Sequence, residues 1–304
     1  MDIDHRSGRT RLSADQIASA RRALLGDHSD SLLAYARQLS YGASCDSEVD
    51  VTALARTLGW VKGQPAQLTR IGRMFADAAR EYCNWIDDHR SFPIDDVKDL
   101  LFNGLVIDVG CGFGRYLMTL EDFGARAVGV DCFEPYLQVS PILAEREGRR
   151  PLRVVCANGD RLPFRDTSVD AVLCFRALAY MDPARALAEM GRVLRNDGVA
   201  VLAVSTFRDF VRVSVARFRS FTRPRAVATL CLTVANTLGV QWLGRRLVDA
   251  SGMNPVLRFV HPTRKFLVRE LRANGLEAVA VYAARQPDVT WIVSRRVVEP
   301  AAPA

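Results

Sequence analysis

The run Leu105-Val-Ile-Asp-Val-Gly-Cys-Gly-Phe-Gly-Arg-Tyr-Leu117 decides how this chain folds. Leu105 to Val109 reads as an apolar strand with one acid, Asp108, near its end. Gly110, Gly112 and Gly114 then alternate over five positions, and Tyr116, Leu117 and Leu120 begin a helical pattern. A buried strand that turns through glycines into a helix makes a ligand cradle. Glycine lets backbone approach closely, and a helix N-terminus offers free N–H groups. Dinucleotide folds use G-x-G-x-x-G. Counted from Gly110, that third glycine falls on Arg115. The register here is Asp108-x-Gly110-x-Gly112-x-Gly114.

The pattern continues downstream. Arg126 to Asp131 reads as a second short strand ending in an acid, seventeen residues after Gly114. An acid there can accept hydrogen bonds from ribose hydroxyls. Leu152–Ala157 is a third strand, followed by Asn158-Gly-Asp-Arg-Leu-Pro-Phe164, and Ser168–Phe175 is a fourth. Asp182 caps a helix with Pro183 in its first turn. That helix is expected to run to Leu194 and stop at Asn196-Asp-Gly198, before a fifth strand over Val199–Val204. A helix over 262–272, closed by Asn274-Gly275, and strands over 277–282 and 289–294 complete the series.

Order, spacing and motif register resemble class I S-adenosylmethionine (SAM) dependent methyltransferases, in the small-molecule, methyltransferase type 11-like branch. The resemblance covers roughly residues 100–206 and 259–297. It implies a doubly wound, mostly parallel, seven-stranded α/β sheet of Rossmann-like form, with S-adenosyl-L-methionine as cofactor. By the same resemblance the cofactor is bound by Asp108, Gly110, Cys111, Gly112, Gly114, Asp131, Cys132, Gly159, Asp160, Arg161 and Phe175. The glycine loop would hold the amino acid part, and Asp160 would accept from the adenine amine. Relatives often carry two histidines after the fourth strand; here those positions are Ala179 and Tyr180.

Composition sets the bounds. A chain of 304 residues holds one large α/β domain and an accessory piece. The sequence divides into a helical cap over 1–100, in which a winged-helix-like module is the alternative, and a SAM-binding domain over 101–304. Ser13-Ala-Asp-Gln16 resembles a capping box, and amphipathic turns follow at 31–39, 51–58 and 68–82. Asp2, Asp4, His5, Arg6 and Arg9 break any signal-peptide-like apolar run, which points to the cytoplasm. Seven cysteines without C-x-x-C spacing read as buried reduced thiols, and four scattered histidines give no expectation of a metal. Only three of 41 basic residues are lysine, so the +7 net charge is weak ground for nucleic-acid binding.

After the fifth strand comes an insertion over 207–260. Between Phe207 and Lys265 stand eleven basic residues against two acids, a net charge of +9. Within it, Ala226–Gly244 carries no charge, yet Thr229, Thr233, Asn236, Thr237 and Gln241 mark one polar helix face. We read a lid, with its apolar face on the core, or alternatively a surface that touches a membrane. The ends of all parallel strands share one edge, so the insertion is expected to overhang the acceptor there. Tyr180, His261 and Arg176 are the candidate catalytic residues: an orienting aromatic, a base, and a partner for an anionic acceptor. The acceptor expected is a small molecule or lipid-like. An RNA methyltransferase using the basic insertion, and a DNA-binding regulator that senses a ligand, are the competing readings. No Asp/Asn-Pro-Pro-Tyr/Phe run follows the fourth strand, which argues against amino-methylation of flipped bases.

Overall fold

The computed structural model describes residues 2–4, 9–42, 45, 48–88, 101, 104–216, 224–248, 259–283 and 289–297. By their contacts they form two compact units. The first comprises 1–92, 112–119 and 133–156; the second comprises 93–111, 120–132 and 157–304.

The first unit holds strands β1 (Asp2–Asp4) and β2 (Arg9–Arg11), then helices α1 (Ala14–Leu25), α2 (Ser29–Tyr41) and α3 (Val51–Thr57). Strands β3 (Val61–Lys62) and β4 (Gln67–Leu68) and helix α4 (Arg70–Asp88) follow. The capping box at α1 forms as expected: Gln16 N–H donates to Ser13 Oγ, and Ser13 N–H donates to Gln16 Oε1. Two short antiparallel hairpins, β1–β2 and β3–β4, accompany the helices of this region. Their strands are two or three residues long, too short for an alternating pattern to register. Trp60 stacks on Phe75 at 4.8 Å, and α4 runs so close beneath that a Cβ at Gly72 would overlap the Trp60 carbonyl oxygen.

Helix α5 is Arg115–Asp122; helix α6 (Glu134–Arg146) belongs to the first unit and is gripped from its two ends. At its start, Arg11 pairs with Glu134 at 2.5 Å, and Gln138 Oε1 accepts from Leu12 N–H. At its end, Arg146 donates to the Leu24 carbonyl (2.7 Å), Ser29 Oγ (2.7 Å), Tyr82 Oη (2.9 Å) and Asp30. One guanidinium thereby ties α1, α2 and α4 to α6. Only arginine presents enough donors in a fixed fork to do so.

The seven-stranded sheet has the order β10-β11-β9-β8-β5-β6-β7, where β5 is Leu105–Val109, β6 Arg126–Asp131, β7 Val154–Cys156, β8 Val169–Phe175 and β9 Leu194–Val204. Strands β10 (Leu276–Ala283) and β11 (Thr290–Arg296) close it antiparallel. β5 runs parallel to both β6 and β8, and β8 runs parallel to β9. This is the doubly wound, mostly parallel class the sequence implied. Strands buried on both faces need near-continuous apolar side chains, and Val106, Ile107, Val109, Ala171, Val172 and Leu173 are all fully buried. The strand order reverses at β5, and the crevice at such a reversal is where α/β sheets bind ligands.

Two boundaries differ from expectation. Helix α7 (Pro183–Val193) does start at the Asp182 cap, but β9 begins at Leu194 and not at Val199. Leu194 pairs with Val169 while Val199 pairs with Ala171, so residues 195–198 bulge opposite Asp170. Asp197 takes a left-handed φ of +63°, and Arg195 Nη1 donates to Asp170 Oδ1 at 2.6 Å. The Asn-Asp-Gly turn thus interrupts a strand and does not separate it from a helix. The insertion contributes α8 (Phe207–Ala216) and α9 (Pro224–Leu243), and α10 (Arg264–Ala273) opens on Thr263.

Arg146→Met leaves the Leu24 carbonyl and Tyr82 without their partner inside the first unit. We expect it to lower the free energy of unfolding by about 2–4 kcal/mol in urea titrations followed by circular dichroism.

Candidate active site

In the second unit the ends of β5, β6, β8 and β9 carry Asp108, Asp131, Phe175 and Val204. Asp108 is 1 % exposed, and neither of its carboxylate oxygens has a hydrogen-bond partner. Burial, and then the nearby charge of Asp131, push its pKa up to about 8. The same surroundings raise the neighbouring thiols: burial and then Asp108 lift Cys174 to about 12, and burial, Asp108 and Asp131 lift Cys111. Both thiols therefore stay neutral and pack as small apolar groups. A buried carboxyl without partners awaits a donor or a cation.

The glycines divide the labour. All three take positive φ, +80° at Gly110, +55° at Gly112 and +86° at Gly114. A Cβ at Gly110 would stand 2.1 Å from the Ala177 Cβ, so this glycine admits the loop after β8. Gly114 makes room for Leu152 and Ser140 within the first unit. At Gly112 a Cβ would meet nothing within 4 Å. The N–H groups of Gly110 and Cys111 both donate to the Val130 carbonyl (2.7 and 3.1 Å), so these two are not the free donors expected of the loop.

The segment after β7 is also held by protein. A Cβ at Gly159 would lie 2.6 Å from Met181 Sδ. Asp160, expected to face an adenine amine, accepts from the Asp182 N–H (3.2 and 3.4 Å). Burial and then repulsion from Asp182 raise its pKa. Arg161 is exposed, with its N–H on the Asn158 carbonyl. Arg192 braces this loop through the Leu162 (3.0 Å) and Phe164 (2.9 Å) carbonyls. Cys132 is exposed, and Phe175 packs on Trp291 with ring centres 5.5 Å apart.

On the acceptor side the three candidates sit on connected backbone. Arg176 is exposed and holds a left-handed φ of +56°, its N–H on the Ala203 carbonyl at 2.7 Å. Non-glycine residues rarely take this conformation. Tyr180, 54 % exposed, ends a short 3₁₀ turn (Leu178–Tyr180) and meets Phe259 edge-on at 4.7 Å. His261 is buried and stacks on Phe210 at 4.5 Å. Its Nδ1 lies 3.0 Å from the Ser205 carbonyl. A carbonyl only accepts, so Nδ1 carries a proton, and loss of any second proton would leave the lone pair on Nε2.

Residues the sequence did not single out fasten this side. Val260 N–H donates to the Ala179 carbonyl at 3.1 Å, and Arg246 donates to the Met181 carbonyl at 2.7 Å. Arg246, one of the eleven basic residues of the 207–265 segment, is thus committed to main-chain carbonyls. The polar face of α9 is inward too. Asn236 Oδ1 accepts from Val248 N–H, Thr237 Oγ1 from His261 N–H, and Gln241 Oε1 from the Thr263 hydroxyl. The expectation that the apolar face would pack on the core is reversed, because Val248 and His261 offer α9 backbone donors and Thr263 a hydroxyl.

The apo protein tests the reading of Asp108. Its folded pKa exceeds that of an unfolded aspartate, so the fold retains a proton and its stability falls as pH rises from about 4 to about 8. Asp108→Asn has no proton to lose. Without cofactor, its melting temperature should exceed that of the wild type at pH 8, and the difference should shrink at pH 4.

Residues 107–202 match the family described as "Methyltransferase domain". An uncharacterized protein of Methanocaldococcus jannaschii is 32% identical over 124 residues, covering 40% of this chain and 51% of the relative. The uncharacterized methyltransferase YcgJ of Bacillus subtilis is 30% identical over 94 residues, 31% of this chain and 37% of that protein. The chain thus spans about half or less of the length of these relatives. Among solved structures, the putative methyltransferase in a complex with the Haloferax volcanii Trm112 activator is similar at 18% identity and a TM-score of 0.49, over 75% of this chain and 97% of that one. S-adenosylmethionine suits the residues present, since it brings an ammonium and hydroxyl donors to two strand-end acids, one of them buried without partners. Residues 107–202 are thus similar to a methyltransferase domain, the family that the sequence resembles.

Proposed function

We propose that the protein transfers a methyl group from S-adenosylmethionine to a small-molecule or lipid-like acceptor. The observation that carries this reading is Asp108, a buried carboxyl with two unpartnered oxygens directly before the glycine turn. When bound, the cofactor supplies a methyl group already activated on a sulfonium. Asp108 and Asp131 would hold its ammonium and ribose. Methyl transfer then needs mainly alignment and water exclusion. Aromatic contacts serve that on the acceptor side: Tyr180 with Phe259, and Phe210 with His261. The lone pair of His261 Nε2 accepts a proton from an acceptor hydroxyl or amine, Tyr180 orients the acceptor, and Arg176 binds an anionic group on it.

Gly112→Val forces a β-branched residue into a left-handed conformation and fills open space, so SAM binding should be lost in calorimetry. Asp131→Ala should weaken SAM binding by about 1.5–3 kcal/mol. Normal binding by both variants contradicts the site. For the acceptor, the purified chain is incubated with labelled SAM and separate metabolite, lipid and RNA extracts. Label in metabolites or lipids is expected; label in RNA alone replaces the acceptor class.

His261→Gln keeps the ring's size and polarity but not its basicity. With the acceptor found, kcat should fall at least tenfold while SAM affinity stays unchanged. Tyr180→Phe should lower kcat less. Unchanged turnover in both assigns these residues to packing.

A further inference from the structure

Helix α9 is built inside out. At about 100° per residue, Val227, Cys231, Leu238 and Trp242 fall within an arc of about 60°. Val227 is 45% exposed, Cys231 exposed, Leu238 half-buried and Trp242 80% exposed. Thr233, Asn236 and Thr237 occupy the opposite side and are at most 2% exposed. Asn236 Oδ1 and Thr237 Oγ1 accept hydrogen bonds inside the protein, and the apolar groups are turned out. Beyond the helix the patch widens. Gly244 (φ +64°) turns the chain back, and a Cβ at Gly239 would lie 2.6 Å from Leu247 Cγ. That turn sets Leu243 (61% exposed) and Leu247 (50% exposed) beside Trp242 in the chain.

Charge says what covers this face. The sequence brackets the uncharged stretch with Arg223 and Arg225 on one side and Arg245 on the other, inside a segment of net charge +9. Arg245 is exposed. An uncharged apolar strip ending in tryptophan, with arginines at its ends and no acid between them, complements the acyl boundary and anionic headgroups of a bilayer. A protein partner would need no such excess of one sign, and an identical copy would bring the same positive charge against it. Among the described residues no helix is long and apolar enough to cross a membrane, so the geometry is that of a helix lying in the interface.

We propose that the outer face of α9 and the 243–247 turn bind the surface of an anionic lipid bilayer. This does not depend on the methyl-transfer reading, and it is tested without SAM or acceptor.

Tryptophan fluorescence is the direct test. Trp60, Trp85 and Trp291 are buried, so Trp242 alone reports on solvent and lipid. The whole protein is mixed with vesicles of equal phosphatidylcholine and phosphatidylglycerol, and with phosphatidylcholine vesicles alone. The expected result is a blue shift and quenching by brominated acyl chains with the anionic vesicles, weakening as salt is raised. Leu243→Ser/Leu247→Ser retains the reporter and should lower partitioning at least tenfold; Arg245→Gln should lower it severalfold on anionic vesicles. Water-like emission with both vesicle types overturns the proposal. So does equal partitioning by the folded serine variant, or a blue shift that grows with protein concentration without lipid, which assigns the face to a second copy. Should the serine variant fail to fold, quenching of the wild type by brominated lipid decides alone.

Discussion

A hydrogen atom in place of a side chain at Gly110 lets the loop after β5 lie against the loop after β8. Much of the second unit follows from that contact. Ala177 sits where a Cβ would stand, which places the 3₁₀ turn 178–180 and then Met181. Met181 packs on Gly159 and so positions the segment after β7. The carbonyls of Ala179 and Met181 are in turn held by Val260 N–H and Arg246. The insertion is thus fastened to the same short segment that the glycine loop touches, and a larger residue at 110 would disturb all of it. Non-local packing of this kind transmits strain because protein interiors are dense.

Electrostatics then separates structural from ligand-directed groups. Asp209 is a buried acid whose needs are met: burial alone would raise its pKa, but donors from Thr206, Thr290 and Arg212 pull it below the ordinary value. Asp108 is a buried acid whose needs are not met, and its pKa moves the other way. Asp108 is the more deeply buried of the two, and it also lacks the hydrogen bonds that Asp209 receives. That one buried carboxylate receives several bonds and the other none supports the proposal that Asp108 meets a bound donor.

The sheet was legible because its signal is local. Strands β5, β6 and β8 announce themselves as apolar runs with acids or turn residues at their ends, and Ser13 and Asp182 mark their helices by capping chemistry. The site was legible only in outline. Asp108 and the glycines could be placed, but that Gly110 serves Ala177, 67 positions away, is a tertiary fact with no trace in spacing. Asp160 was read through a ligand, while in the fold its carboxylate accepts from the Asp182 backbone. The direction of α9 was unreadable for a related reason. Periodicity finds two faces, but which one turns inward depends on the donors the returning chain presents, here Val248 and His261 N–H and the Thr263 hydroxyl.

Arginine is the last link between composition and architecture. An arginine-rich chain of net charge +7 invites the idea of a diffuse basic surface. Several of these guanidiniums instead satisfy main-chain carbonyls where helices and loops end. Arg146 serves Leu24, Arg192 serves Leu162 and Phe164, Arg246 serves Met181, and Arg296 serves Gly191, Arg192 and Leu194 at the C-terminal end of α7. The last carbonyls of a helix lack intrahelical partners and carry the negative end of its dipole, so a forked cation meets both needs. Lysine, with a single ammonium, would span fewer of these acceptors. The charge therefore overstates what is free to meet a partner. What counts for binding is where uncommitted arginines lie relative to exposed apolar surface, and Arg245 beside Trp242 and Leu243 is such a place.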